Sequence, residues 1–190
     1  MKLERTSTVE SLLGALSLGP MSGYQMRQFM EQSTANFWSE SFGQIYPALK
    51  TMLKDGLVEA VEGQTADGHP AKKIYRATEK GQEHLRRWLG LPLRPHKIRH
   101  ELLLKVFFGN QAAPGAMAEH VRSWQRQYTQ DLQRYEQIQS HMESHCANDP
   151  GMPYWRMTVR YGIAEAHMVL TWCEQTLAEL QDLAAETRSK

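Results

Sequence analysis

The sequence predicts a mainly α-helical protein with one small β-hairpin, built from two domains. Three observations lead to this fold class. Apolar residues recur at helical spacing through most of the 190 residues. Only the stretch from Leu57 to Ala77 has the two β-prone runs and the turn residues of a hairpin. Pro92 and Pro95 then interrupt the helical pattern. The predicted parts are a domain at 1–90, a linker at 91–97 and a helical domain at 98–190.

Composition limits the classes of protein to which the chain can belong. Hydrophobic residues make up 41% and charged residues 23%, as in an ordinary globular protein. No run is apolar enough to span a bilayer and the N-terminus lacks a signal-peptide core, so we expect a cytoplasmic protein with no membrane partner. Cys146 and Cys173 are too few for a disulfide framework. With a net charge of +1, any nucleic-acid surface must be a local patch.

The first two helices are predicted from capping boxes followed by apolar stripes. Ser7 to Glu10 has the capping-box spacing, and this helix should end by Gly19 and Pro20. Ser22 to Gln25 repeats the capping pattern, and the second helix should reach about Gln32. The two apolar stripes are Val9, Leu12, Leu13 and Leu16, then Met26, Phe29 and Met30.

A third helix is predicted between Phe42 and Gly56, with one packed side and one free side. Its apolar stripe is Ile45, Leu49, Met52 and Leu53. Ser41 and Gln44 have capping-box spacing, but a helix that began there would hold Pro47 beyond its first turn, where proline loses a backbone hydrogen bond. We therefore expect a start nearer Gln44, or a bend.

A β-hairpin and a fourth helix complete the first domain. The strands are predicted at Leu57 to Glu62 and at Lys72 to Ala77, around a tip from Gly63 to Ala71 that contains Asp67 and Gly68. Thr78 can cap the fourth helix. The apolar positions of that helix are Leu85, Trp88 and Leu89. Three helices, a hairpin and a closing helix describe a winged helix-turn-helix domain, a fold that places its third helix in the DNA major groove.

The second domain is predicted to be all helical. A short helix should end at Gly109 and Asn110, and Pro114 suits the first position of a long helix. A turn is predicted at Asn148 to Gly151. The apolar stripes of the first two helices are Ile98, Leu102, Val106 and Phe107, then Met117, Val121, Trp124, Tyr128, Tyr135, Ile138 and Met142.

The last helix carries a heptad pattern that we interpret as a dimerisation surface. Its apolar residues are spaced alternately by four and three, and they are Val159, Ile163, Ala166, Leu170, Cys173, Leu177, Leu180 and Ala184. A second apolar line consists of Met157, Tyr161, Met168 and Trp172. Two apolar lines on one helix suggest a second partner surface, so we expect a homodimer. A monomer with a closed three-helix core is the alternative.

Several polar residues of the first domain are candidates for DNA contact. Gln44 and Tyr46 suit base edges or the DNA backbone, although Tyr46 could instead pack the start of the helix. The other candidates suit phosphates or the cap of a helix, with a solvated surface as the alternative, and they are Tyr24, Ser41, Lys50, Lys54, His69, Lys72 and Lys73.

Aromatic residues of the second domain could line an effector pocket, although their helical spacing favours core and dimer packing. These residues are Trp124, Tyr128, Trp155, Tyr161 and Trp172. His141, His145 and Cys146 lack a fourth ligand at fixed spacing, so we predict no metal and no cofactor. The sequence contains no phosphate-binding loop, nucleophile elbow or metalloprotease motif, which argues against an enzyme.

The first domain resembles the PadR family of bacterial transcriptional regulators. The resemblance rests on SLLGALSLGPMSGYQMRQFM, FWSESFGQIYPALKTMLKDGLVE and GHPAKKIYRATEKGQEHLRRWL, with Gly43 to Leu49 as the third-helix signature. Residues 98–110 are similar to the start of the long helical C-terminal domain of larger members. The hairpin segment Gly68-His69-Pro70, with Lys72, Lys73 and Tyr75, is similar to the family's wing, although the family often has a basic residue where His69 stands.

The resemblance implies a homodimer that binds double-stranded operator DNA with an inverted repeat. Such regulators are usually repressors, sometimes released by a small aromatic or phenolic effector. An activator of the same fold remains an alternative. Two further alternatives do not act through DNA: a winged-helix protein-interaction module, which the near-neutral charge permits, and a small-molecule sensor.

Overall fold

The computed structural model describes residues 7–35, 37–62, 73–93 and 99–188. The chain divides into two compact units, Met1–Pro95 and His96–Lys190. Within the described ranges, no helix is both long and apolar enough to cross a membrane. The mainly helical fold class with a small β-sheet is confirmed.

Four helices surround the core of the first unit: α1 (Thr8–Leu16), α2 (Gly23–Ser33), α3 (Phe42–Lys54) and α4 (Glu79–Leu89). The predicted apolar stripes of α1, α2 and α3 supply most of this core. The fully buried large side chains are Leu12, Leu13, Met26, Ile45, Leu49 and Met52. On α4, by contrast, Leu85 and Trp88 are only half-buried and Leu89 is exposed.

The capping box predicted at the start of α1 is wrong. Ser7 precedes the helix, but its side chain makes no capping bond. Its backbone is not in the extended conformation that aims an N-cap hydroxyl at the first turn. Glu10, the other half of the predicted box, instead meets Nε2 of His84 on α4 at 3.0 Å. Glu10 therefore links two helices rather than capping one, and α1 ends at Leu16, before the predicted glycine and proline.

The capping box predicted at Ser22 is confirmed. The Ser22 hydroxyl accepts a hydrogen bond from the backbone N–H of Gln25 at 3.2 Å, and Gln25 Oε1 accepts one from the Ser22 N–H at 2.8 Å. Thr78 caps α4 as predicted, because its hydroxyl oxygen accepts from the N–H of Gly81 at 3.1 Å. Two helix starts of the first unit were thus correctly read from short polar motifs.

The predicted hairpin forms, but it belongs to a three-stranded sheet. The strands are β1 (Met21–Ser22), β2 (Val58–Glu62) and β3 (Lys73–Ala77), in the antiparallel order β1-β3-β2. Met21 pairs with Tyr75 and Ser22 with Ile74. β1 was not predicted, because two residues cannot show an alternating pattern. The predicted tip of the hairpin lies outside the described residues.

The second unit contains α5 (Glu101–Phe107), a 3₁₀ turn (Gly109–Gln111), α6 (Ala116–His145) and α7 (Met152–Arg188). α6 begins two residues after Pro114, so the prediction that this proline opens the helix is wrong. Gly115 is the N-cap residue, with φ of 83°, a left-handed conformation that glycine adopts readily. This glycine makes the turn that separates the proline from the helix.

α6 and α7 pack along each other, and the heptad residues of α7 supply much of the contact. Ala166 and Cys173 are fully buried, and Cys173 belongs to a core with Leu102 and Val121. Leu177 and Leu180 pack against the same core. Gly162 lies against the Tyr135 ring so closely that an added Cβ would be 2.7 Å from ring carbons. Two residues of the heptad stripe, Ala166 and Cys173, are therefore covered within a single chain.

Candidate nucleic-acid interface

α3 presents opposite faces to the core and to solvent. Ile45, Leu49 and Met52 have no exposed surface, which fixes the rotation of the helix about its axis. The residues of the other face are exposed, and they are Gln44, Tyr46, Lys50 and Lys54. One polar and cationic helix face is therefore available to a ligand.

α3 begins at Phe42 with Ser41 as its N-cap, which corrects the later start that we expected from Pro47. Gln44 Oε1 accepts hydrogen bonds from the Ser41 N–H at 2.9 Å and from the Ser41 hydroxyl at 2.8 Å. These bonds hold the first turn in place even though Pro47 lies inside the helix and cannot donate to the carbonyl of Gly43. The capping bonds thus offset the missing one.

The capping role leaves half of the Gln44 amide available. Its oxygen is occupied by Ser41, whereas its NH₂ group makes no hydrogen bond within the described ranges. The exposed Ser41 hydroxyl, in contrast, already donates its proton to Gln44. Gln44 can therefore donate to an acceptor such as guanine O6 or N7 while it remains in the cap.

Three aromatic rings form a stack across the starts of α2 and α3. The centroids of Tyr24 and Phe42 are 6.5 Å apart and those of Phe42 and Tyr46 are 5.9 Å apart, with nearly parallel planes. Tyr24 is 58% exposed and Tyr46 50% exposed. The Tyr46 ring also packs on Gly23, where an added Cβ would be 3.0 Å from it. Tyr46 therefore packs the helix start and also presents part of its ring to solvent.

Three of the candidate lysines are exposed and make no ion pair with the described residues. Lys50, Lys54 and Lys73 are exposed, and in the part of the chain that the structure describes none of them forms an ion pair. The arginines of the sheet and of α4 differ, because Arg76 pairs with Glu59 and Arg86 with Glu79 and Glu83. His69 and Lys72 lie outside the described residues.

Sequence reasoning missed Arg27 on α2. Its guanidinium carbon lies 4.2 Å from the centroid of the Phe42 ring, a cation–π arrangement. Its Nε donates to Glu31 Oε1 at 2.6 Å. The spacing of Arg27 and Glu31 is visible in the sequence as an i, i+4 pair. The contact with Phe42 joins two helices and could not be read from spacing.

Glu40, which sequence reasoning also missed, anchors the segment that leads into α3. Only 6% of Glu40 is exposed. Its Oε1 accepts hydrogen bonds from Trp38 Nε1 at 2.9 Å and from the Ser11 hydroxyl at 3.2 Å. Its buried Oε2 has no hydrogen-bond partner among the residues that the structure describes. The carboxylate therefore ties the residue before the α3 cap to α1.

The five predicted effector-pocket aromatics do not form a single group. Trp124 and Tyr128 are in contact, with centroids 5.1 Å apart, and they pack with Trp172 against the core of the second unit. Burial raises the pKa of the Tyr128 phenol, and neighbouring acidic groups, first Glu165, raise it further. The other two are on α7: Trp155 covers Gly151, and Tyr161 is exposed but near enough to Tyr128 to raise the pKa of that phenol further.

The predicted dimerisation residues differ in how much surface they offer. Ala166 and Cys173 are inside the chain, while the remaining five are half-buried, namely Val159, Ile163, Leu170, Leu177 and Leu180. The exposed apolar side chains of the second unit lie elsewhere. They are Leu103, Leu104, Phe107 and Phe108 near α5, and Tyr154, Met157, Tyr161, Met168 and Leu183 on α7.

The histidines at the end of α6 stack on each other, with the centroids of His141 and His145 4.4 Å apart. His145 Nδ1 lies 3.0 Å from the backbone oxygen of His141. Among the described residues, no three His, Cys, Asp or Glu side chains are grouped to hold a metal ion.

Comparisons with known proteins match both units of the chain. Residues 12–87 match the "Transcriptional regulator PadR-like family", and residues 98–181 match "Virulence activator alpha C-term". The "Negative transcriptional regulator PadR" of Bacillus subtilis (strain 168) is 27% identical over 178 residues, which span 88% of this chain and 94% of the relative.

Solved structures share the fold along most of the chain. The smu.1604c protein from Streptococcus mutans UA159 has a TM-score of 0.77 at 25% identity, covering 90% of this chain and 98% of its own. Bacillus subtilis PadR in complex with operator DNA has a TM-score of 0.80 at 21% identity, with coverages of 92% and 99%. The same protein in complex with p-coumaric acid has a TM-score of 0.72 at 19% identity, with coverages of 94% and 98%.

Proposed function

We propose that the chain, whose residues 12–87 match the PadR-like family of transcriptional regulators, is a homodimeric repressor of that family that binds an inverted-repeat DNA operator. The observation that carries this proposal is the solvent face of α3. That face combines a donor amide, a half-exposed phenol and two cations without acidic partners. Such a face suits the major groove, where amides meet base edges and cations meet phosphates.

Each side chain of this face has a separate role in the proposal. Gln44 donates its NH₂ group to a base edge, and Tyr46 contacts the backbone or a base beside it. Lys50, Lys54 and Lys73 neutralise phosphates, which gives affinity for any sequence. Sequence preference then depends on Gln44 and Tyr46, and the salt dependence of binding depends on the lysines.

Dimerisation would supply the additional DNA contacts that a single copy of the chain lacks. A net charge of +1 gives little general attraction to DNA, so two copies on one operator would double the number of contacts. We assign the dimer surface to the second unit, where Phe107 is 79% exposed and where Tyr161 and Met168 form an exposed line on α7. Large apolar side chains in such numbers are typical of a protein-protein contact.

A small aromatic effector is the further part of the proposal. Bacillus subtilis PadR binds p-coumaric acid, and the aromatic group of Trp124, Tyr128 and Trp172 offers flat apolar surface to such a ligand. An effector that binds the second unit would release the operator by changing the spacing of the two DNA-binding units. Titration of tryptophan fluorescence with p-coumaric acid tests this part by itself.

The central experiment combines light scattering with DNA selection. We expect the mass of a dimer at micromolar concentration, and a selected duplex that is an inverted repeat with half-sites about one helical turn apart. Binding should weaken steeply as salt rises. A monomeric mass would contradict the dimer. Absence of salt-dependent binding to any duplex would contradict DNA binding and favour an interaction module or a sensor.

An activator is the second candidate, because residues 98–181 match the virulence-activator C-terminal family. Both roles use the same DNA-binding face, so binding assays do not distinguish them. A reporter gene placed behind the selected operator does: deletion of the regulator raises expression if the protein is a repressor and lowers it if the protein is an activator.

A further inference from the structure

Arg27 lies where α2 meets the start of α3. Tyr24, Arg27 and Glu31 follow one another at i, i+3 and i+7, so they share one face of α2. The Arg27 guanidinium stacks on the ring of Phe42, the first residue of α3. In helix-turn-helix proteins, the first helix of the pair crosses the DNA backbone while the start of the second reaches the bases. Arg27 is therefore placed beside the path expected for a phosphate.

The guanidinium has donors to spare. Arg27 uses its Nε–H in the bond to Glu31, and its two terminal nitrogens make no hydrogen bond to any residue that the structure describes. The side chain is 37% exposed. Stacking on Phe42 limits the motion of the guanidinium plane, and a planar guanidinium can bind two phosphate oxygens at once. The guanidinium is thus held in a fixed orientation and still has unused hydrogen-bond donors.

Glu31 is the unexpected neighbour. It is 52% exposed, and apart from Arg27 it is the only charged residue of α2. A carboxylate beside the DNA path repels phosphates, and its bond to the Arg27 Nε–H blocks the pair of donors, Nε and one terminal nitrogen, that could together bind two phosphate oxygens side-on. An exposed i, i+4 pair contributes little to the stability of a helix, so stability alone does not account for this contact.

We propose that Arg27 is a DNA phosphate contact of α2 and that Glu31 acts as an internal competitor for it. In the free protein, Glu31 accepts the Arg27 hydrogen bond. On DNA, a phosphodiester oxygen replaces the Glu31 carboxylate, and Phe42 holds the guanidinium in place during the exchange. Glu31 thereby lowers affinity for all sequences alike. This inference depends on the DNA binding proposed above.

The test compares four variants of the full chain: Glu31→Gln, Arg27→Ala, their double mutant, and Glu101→Gln as the matched control. Glu101 accepts a bond from Lys105 at 2.8 Å in another exposed i, i+4 pair, on α5 of the second unit. Both Glu→Gln changes remove one negative charge, so general charge effects cancel in the comparison. The probe is a mixed-sequence duplex of about 30 base pairs, long enough for two half-sites one turn apart. Circular dichroism and thermal melting establish that each variant is folded.

Glu31→Gln should bind the duplex about two to five times more tightly than the wild type, which corresponds to the loss of one exposed ion pair. Glu101→Gln should bind as the wild type does. Arg27→Ala should bind roughly tenfold more weakly, with a salt slope shallower by about one. In the Arg27→Ala background, Glu31→Gln should have little further effect, because its target is gone.

Two results would overturn the inference while leaving the proposed function intact. One is a Glu31→Gln variant that binds no more tightly than Glu101→Gln. The other is an equal gain from Glu31→Gln with and without Arg27, which would mean simple charge repulsion rather than competition. If the wild type binds no duplex at any salt concentration, the proposed function fails and this inference fails with it.

Discussion

Gln44 is predicted to serve both the helix cap and the DNA, and two substitutions separate these roles. Gln44→Ala removes the acceptor that holds the Ser41 N–H at 2.9 Å and the Ser41 hydroxyl at 2.8 Å. Loss of a capping interaction costs about 1 kcal/mol. For a unit of this size, such a loss lowers the melting temperature by roughly 4–8 °C.

Gln44→Glu places a carboxylate oxygen where the amide oxygen of Gln44 accepts the two bonds from Ser41. It should therefore retain the cap, and a negative charge in the first turn adds about 0.3–1 kcal/mol of stabilisation from the helix dipole. For DNA, however, glutamate has no NH₂ group and repels phosphates. We expect Gln44→Glu to melt at or above the wild-type temperature and to bind the selected operator more weakly than Gln44→Ala does.

Thermal melting and operator titration on the same preparations measure the two effects. Gln25 provides the matched control, because its Oε1 caps α2 by the same bond to Ser22 at 2.8 Å. Gln25→Ala should lose similar stability without changing which operator bases are preferred. If Gln44→Glu melts as low as Gln44→Ala, the capping role is wrong. If Gln44→Glu binds the operator as the wild type does, the base contact is wrong.

Three further predictions concern packing, thiol chemistry and assembly. An added Cβ at Gly81 would be 2.1 Å from a backbone oxygen. Gly81→Ala should therefore reduce the free energy of unfolding by about 1–3 kcal/mol and lower the melting temperature by several degrees. Gly14→Ala is the control and should not lower it, because the space around Gly14 is open. Burial raises the pKa of the Cys173 thiol, so less of the reactive thiolate is present at a given pH. In the native protein at about pH 8, iodoacetamide should therefore label Cys146 and leave Cys173 unmodified until the protein is unfolded. Mass spectrometry measures the labelling of each cysteine. Met168→Glu should give a monomeric mass in light scattering, and a variant that remained a dimer would exclude this face of α7.

The sequence was informative wherever one helix or one motif contained the whole signal. The stripe of Ile45, Leu49 and Met52 predicted the buried side of α3, and the caps at Ser22 and Thr78 formed as expected. These features depend on residues three or four apart in the chain, and such residues are neighbours in any helix.

The failures share a different cause, which is competition between local rules or contacts between distant segments. Pro47 argued for a late start of α3, and only the bonds of Gln44 to Ser41 show that the cap prevails. Arg27 on Phe42 and Ser11 on Glu40 are contacts that spacing does not reveal.

The heptad stripe of α7 shows a related limit. A regular apolar spacing predicts that one face of a helix is buried, but it does not show whether the residues that bury it belong to the same chain or to a second copy. Cys173 and Ala166 are covered by their own chain. The DNA-binding and dimerisation residues, including His69 and Lys72, remain predictions for the experiments above.

The two-residue strand β1 has a mechanical consequence for how the protein meets DNA. Ser22 belongs to this strand, where it pairs with Ile74 of the wing, and its hydroxyl is also the cap of α2. The short strand thus fastens β3 to the helix that carries Tyr24 and Arg27, through Ser22 and through the pairing of Met21 with Tyr75. A movement of the hairpin that broke the pairing of Ser22 with Ile74 would therefore also disturb the residue that caps the first turn of α2.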